Sequence, residues 1–225
     1  MSEKPTTHAQ TRAARRQAMV KDRRKNRMDR YHKNKREMLI IKSVSIALGV
    51  IILAGIGFAG VNYVRDRDLN REPEGVAVFT YAQGNHIDGD IDYSAQSDYK
   101  GEVPPAGGAH NNTPQQCDVY TQPIRQESAI HSLEHGAVWI TYQPTLSADQ
   151  VEALKDLAQG DDYMLMSPYE GLPAPIVLTA WNHQLQMQAF DKDTVERFVR
   201  SYKNKRGVTP EFGARCSGTD MTVAR

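Results

Sequence analysis

Gln126-Glu-Ser-Ala-Ile-His-Ser-Leu-Glu-His-Gly-Ala-Val-Trp-Ile-Thr-Tyr142 changes its period at its glycine. Before Gly136 the spacing predicts a helical turn over Gln126–His135, with His131 and His135 one turn apart on the same face. Gly136 suits the residue that closes such a turn. After it, Ala137–Tyr142 is short, apolar and β-branched, which predicts a strand.

Downstream the punctuation stays clear. Ser147, three residues before Gln150, matches a capping box. Val151, Leu154 and Leu157 follow at helical spacing, and Gly160 suits the position past the helix end. Tyr163–Tyr169 predicts a second strand, Glu170–Pro175 a turn and Ile176–Trp181 a third strand. Leu185 and Met187 alternate as a fourth. Asp193 with Glu196 opens a last helix, whose Val195, Phe198, Val199 and Tyr202 line one face, and Gly207 ends it. Upstream, Val76–Tyr81 offers an early strand. Residues 83–127 are rich in Gly, Pro, Asn, Asp and Gln and read as loop. The fold class is α+β: a small, mostly antiparallel sheet with two helices on one face and a long loop-rich N-terminal half.

Further out lies a segment of another kind. Ser43–Val64 is a run of 22 residues without a charge. At about 1.5 Å per residue it spans roughly 33 Å, enough for a hydrocarbon core of about 30 Å. A cleaved signal would have a shorter apolar core, so the length favours an uncleaved transmembrane helix. Residues 1–37 hold thirteen Lys/Arg and four Asp/Glu. Such an excess keeps its flank in the cytoplasm. The expected organisation is a basic cytoplasmic tail over 1–37, disordered or lying on the membrane surface, and an anchor over 38–64. A charged, flexible linker over 65–74 and an extracytoplasmic α+β domain over 75–225 follow. The basic runs abut a membrane span, so their expected partner is anionic lipid of the bilayer and not nucleic acid.

The polar chemistry gathers around the period change. Of seven histidines, His86, His110, His131 and His135 fall between residues 86 and 135, together with Cys117. They form a candidate metal set: imidazole suits copper and zinc, and a thiolate biases toward softer ions. The alternative for the histidines is packed, hydrogen-bonded roles at a helix end. Cys117 and Cys216 either pair as a disulfide, as an oxidising compartment favours, or serve as thiolates. Glu134, and Tyr120 near Cys117, are read as residues that orient the ligands. His131-Ser-Leu-Glu-His135 also matches the H-x-x-E-H pattern of inverted zinc proteases, with Glu134 activating water, but a long helix is missing. Met164 and Met166 share a strand face, as copper(I) thioethers or as core filler. Asp88, Asp90 and Asp92 alternate, yet lack the glycine and terminal glutamate of an EF-hand calcium loop.

Gly84-Asn-His86, Val103-Pro-Pro105, Gly107-Gly-Ala-His110, Cys117-Asp-Val-Tyr120 and His131-Ser-Leu-Glu-His-Gly-Ala-Val-Trp-Ile140 resemble the DUF3105 proteins of bacteria. The resemblance continues through Ser167-Pro168, Thr179-Ala-Trp181 and Pro210-Glu-Phe-Gly-Ala-Arg-Cys216, covering about residues 75–218. In that family a glycine follows the cysteine; Asp118 follows here. The resemblance implies a membrane-anchored protein of the bacterial envelope and supplies no activity. Two functional readings follow. One is a metal module with copper or zinc on some subset of His86, His110, Cys117, His131 and His135. The other is a non-catalytic interaction or assembly module with an envelope protein partner and a Cys117–Cys216 staple. No nucleophile–base pair, phosphate loop or dinucleotide fingerprint points to a conventional enzyme.

Overall fold

The computed structural model describes residues 7–217. Residues 1–6 of the basic tail and 218–225 of the C-terminal region lie outside the described part. The chain divides into two compact units, Met1–Val64 and Arg65–Arg225. The described part of the first unit belongs to one helix, α1 (Thr7–Leu69), whose last residues enter the second. The basic tail is thus helical from Thr7 onward. Its apolar part is long and hydrophobic enough to cross a membrane: the most apolar 18-residue window has a mean hydropathy of 2.5 and no buried residue.

In the second unit five strands form an open sheet in the order β1-β5-β4-β2-β3. They are β1 (Ala77–Val78), β2 (Val138–Tyr142), β3 (Met164–Pro168), β4 (Ile176–Ala180) and β5 (His183–Met187). Among these strands β2 and β3 pair in parallel, while β2–β4, β4–β5 and β1–β5 are antiparallel. The parallel pair needs a crossover, and α3 (Ala148–Ala158) supplies it.

The period of two along each strand divides the core. Val138, Ile140, Met164, Met166, Ile176, Leu178, Leu185 and Met187 face α3 and α4 (Lys192–Tyr202), meeting Leu154, Ala158, Val195 and Phe198. Two helices thus cover one face, and the two methionines are core filler there. On the opposite face Trp139, Leu165 and Trp181 meet Ala129, Ile130 and Leu133 of α2 (Gln126–Glu134) and loop residues such as Tyr81, Tyr93 and Tyr120. Trp181, the expected last residue of the third strand, lies in the β4–β5 turn, one residue past the observed end of β4.

Local differences from the sequence pattern have local causes. Gln150 does not close a capping box. Its amide nitrogen donates to Ser147 Oγ (3.1 Å), and its oxygen accepts from the Phe190 N–H (2.8 Å). The last helix is capped by Asp191, whose carboxylate accepts from the Thr194 N–H, and it ends at Tyr202, well before Gly207. The linker over 65–74 is not a free tether. Asp66 and Asp68 pair with Arg200 and Arg197 of α4, Leu69 is buried and the Tyr202 hydroxyl donates to Glu72.

A candidate metal centre beneath the loop-covered face

Helix α2 sets His131 and Glu134 three residues apart, and His135 caps its C-terminus. Spacings of three and four place all three on one side of the helix, while Ala129, Ile130 and Leu133 turn toward the sheet. Gly136 makes the abrupt exit possible. Its φ is 105°, and a Cβ there would sit 2.8 Å from the Asn204 Cα. Two loops bring the other histidines. The Ile87 N–H donates to His110 O (2.8 Å) and the His110 N–H to Asn85 O (3.0 Å), so His86 and His110 are zipped side by side. That pair is tied to α2 where the Asn111 N–H donates to Glu127 O (3.2 Å) and the Gln115 N–H to Ser128 O (3.0 Å).

The result is two groups of ligand-type residues that share His131. His86, His110, His131 and Glu134 form one; His131, His135 and Glu211 form the other. Within each group the ligand atoms lie within 4.8 Å of one another. Three rings have their tautomer set by the backbone. The Nδ1 of His110 meets Gly108 O at 2.8 Å, that of His131 meets Asn111 O at 2.6 Å, and that of His135 meets Arg215 O at 2.7 Å. A carbonyl only accepts, so each Nδ1 carries a proton and each neutral ring presents Nε2 as a lone pair.

Those lone pairs face other lone pairs. With His110 neutral, its Nε2 lone pair lies 3.0 Å from Glu134 Oε2 and neither buried atom has a hydrogen-bond partner among the described residues; a second proton on His110 would turn the contact into an ion pair. His131 Nε2 lies 3.0 Å from His135 Nε2. Glu134 is fully buried, and its Oε1 accepts from the Gly84 N–H at 2.6 Å. Burial alone would raise its carboxyl, but the Gly84 N–H and a His110 ring that carries a second proton, on Nε2, outweigh that and hold it below the usual carboxylate value. Burial pushes His131 down to about 4 against the opposing Asn111 hydrogen bond, and the rings of His135, His110 and His86 add to the fall. His131 is therefore neutral near pH 7, with its lone pair available.

The other sequence candidates fall elsewhere. Cys117 is bonded to Cys216, with Cα atoms 5.5 Å apart, which removes it from the ligand set. Tyr120 donates its hydroxyl to Gln116 O and its N–H to Met166 O, holding the Cys117 loop on β3. His183 stacks on Tyr202, with its Nδ1 on Trp181 O. Asp88, Asp90 and Asp92 do not converge: they meet Asn112, Arg125 and the Ser94 N–H respectively. Glu134, expected beside the ligands, stands among them. Glu211 was not legible as a candidate. It arrives because its N–H donates to Glu134 O (3.1 Å), which sets Oε2 3.2 Å from His135 Nε2. No local pattern marks that approach.

Fold and site together define an α+β domain with a buried histidine–glutamate cluster beneath a loop-covered sheet face. The chain belongs to the DUF3105 family, described as proteins of unknown function, with residues 90–218 matched. The match begins after His86 and takes in the other residues of both groups. No curated protein and no solved structure matches the chain.

Proposed function

We propose that this is a single-pass membrane protein, N-terminus cytoplasmic, whose 65–225 unit binds a divalent metal ion outside the cytoplasm. The observation that carries the reading is the set of paired lone pairs. His110 Nε2 and Glu134 Oε2 are buried and face each other at 3.0 Å without a hydrogen bond, beside a His131 held neutral. With a neutral His110 the contact is repulsive, because both atoms are then acceptors. A cation bound by both atoms turns the repulsion into attraction. The Nδ1–H bonds to carbonyls are the supports that metal-ligating histidines ordinarily have. His86, His110, His131 and Glu134 would hold the ion. With Cys117 in a disulfide the donors are nitrogen and oxygen, which suits zinc or copper(II) and removes the thiolate bias toward copper(I).

The disulfide supports an oxidising compartment, and the basic arm supports a cytoplasmic N-terminus on an anionic leaflet. A reporter active only outside the cytoplasm should work after Arg225 and fail within residues 1–37; the reverse would overturn the topology. The H-x-x-E-H hydrolase reading weakens on geometry. Glu134 points both oxygens into its own cluster, toward Gly84 and His110, and not to a water beside His135.

A second reading has one observation in its favour. A protonated His135 would donate Nε2–H toward Glu211 Oε2 at 3.2 Å, so this half of the cluster can close without metal, as an interaction module requires. Full-length protein purified in detergent without chelator separates the two. The metal reading expects close to one zinc or copper per chain by elemental analysis, held less tightly in Glu134→Ala and His110→Ala. No stoichiometric metal, and no rise in melting temperature on loading, leaves the interaction module.

A further inference from the structure

His131 belongs to both ligand groups, but it has one lone pair to give. Its Nδ1–H is committed to Asn111 O, so Nε2 alone can bind an ion. Two ligands of one zinc, each about 2.0–2.2 Å from it, lie at most about 4.4 Å apart. The ligand atoms do not merge into one group of that size; they form two groups joined only at His131. An ion on His131 therefore sits in one group or the other.

The groups differ in access to water. In the inner one His110 and Glu134 have no exposed side-chain surface, His131 is nearly fully buried and His86 is the most exposed. In the outer one His135 is partly buried and Glu211 is 47% exposed. The inner group offers four residues and the outer three. The outer group is thus the more accessible and the less complete. Its Glu211 and the carbonyl that orients His135 both come from the 209–217 segment, which the Cys117–Cys216 bond pins in place.

We propose that the outer group captures a hydrated divalent cation from solvent and hands it to the inner group about His131, so that the protein acquires metal by a built-in relay. This rests on the metal reading above. Capture displaces all but one of the ion's waters, and in the hand-over that last water and the bonds from the ion to His135 Nε2 and Glu211 Oε2 are lost. Bonds to His110 Nε2, Glu134 Oε2 and His86 Nε2 form, while the bond to His131 Nε2 persists. No electron is transferred. The Nδ1 protons of His110, His131 and His135 stay in place, hydrogen-bonded to the carbonyls of Gly108, Asn111 and Arg215.

The test uses the full-length chain in detergent, stripped of metal and mixed with cobalt(II), whose visible absorption reports its ligands over time. Glu211→Gln should slow the appearance of the final spectrum by about tenfold or more, since it removes the exposed capturing charge, while the final stoichiometry stays that of wild type. Glu134→Gln, which keeps the side-chain shape, should retain an ion that exchanges about tenfold faster or more. Adding His135→Ala to it should abolish retention; His135→Gln takes its place if the alanine variant loses its far-UV circular dichroism. Wild-type loading rates in Glu211→Gln overturn the relay. So does loss of the retained ion in Glu211→Gln, which would make Glu211 a ligand of the storage site. Equal retention by Glu134→Gln with and without the His135 change also overturns it. A wild-type chain that takes up no cobalt(II) or zinc overturns the metal reading itself, a result distinct from each of these.

Discussion

The two faces of the sheet are closed by different means. One is covered by α3 and α4, whose apolar stripes meet strand side chains and leave few polar groups to satisfy. The other is covered by α2 and by loops drawn from residues 81–124, together with a disulfide and a histidine cluster. Helices satisfy their own backbone groups, so hydrophobic burial suffices to hold them down. Loops do not. The carbonyls of Gly108, Asn111 and Arg215 find partners in histidine rings, and the Gly84 N–H finds one in Glu134. The same bonds that satisfy the loops fix tautomers and aim lone pairs. The irregular face has polar chemistry because irregular backbone demands it, and ligand geometry follows from that demand.

The comparison breaks most sharply where burial is greatest. Phe198 is fully buried on the helical face, and Phe198→Ala should cost about 3–5 kcal/mol in chemical denaturation. Metal content of the protein that remains folded should not change, because the cluster lies across the sheet. On the other face the Cys117–Cys216 bond closes a separation of 99 residues. Replacing both cysteines with serine should cost about 2–4 kcal/mol and, unlike Phe198→Ala, should also weaken metal retention, since Arg215 and Glu211 lose their anchor. Equal metal binding by the two variants would contradict the division between the faces.

A pH titration sharpens the contrast more gently. His131 has a folded value of about 4, below its ordinary 6.5, so the unfolded chain binds the proton first. Its contribution to the stability of metal-free protein is full above about pH 6.5 and is lost as pH falls toward 4. Glu134, also shifted down, adds a loss below the ordinary carboxylate value. Melting temperature followed downward from about pH 7 should fall through this window, and His131→Gln should flatten the upper part. The smallest effect belongs to Arg200→Ala. It removes a 2.7 Å pair with Asp66 that water largely surrounds, and should cost less than about 1 kcal/mol by the same denaturation measurement.

The sequence by itself determined what repeats locally. The uncharged run over Ser43–Val64, the strand after Gly136, the alternation of Leu185 and Met187 and the apolar stripe of α4 all record a side-chain period against one environment. The fold keeps these strands and α4 within a few residues of their expected positions, and the uncharged run lies inside the much longer α1. The spacing of His131 and His135 was legible for the same reason, since three and four residues make one helical face. Tertiary structure decided the rest. It paired β2 with β3 in parallel across α3, docked the charged linker on α4, committed Cys117 to Cys216, and set Glu134 within the histidine cluster. It also delivered Glu211 to His135 through a backbone hydrogen bond to Glu134. None of these leaves a period in the chain. Each depends on closing a loop over residues whose own pattern is silent about their partner, so only the packed backbone can say which carboxylate and which ring meet.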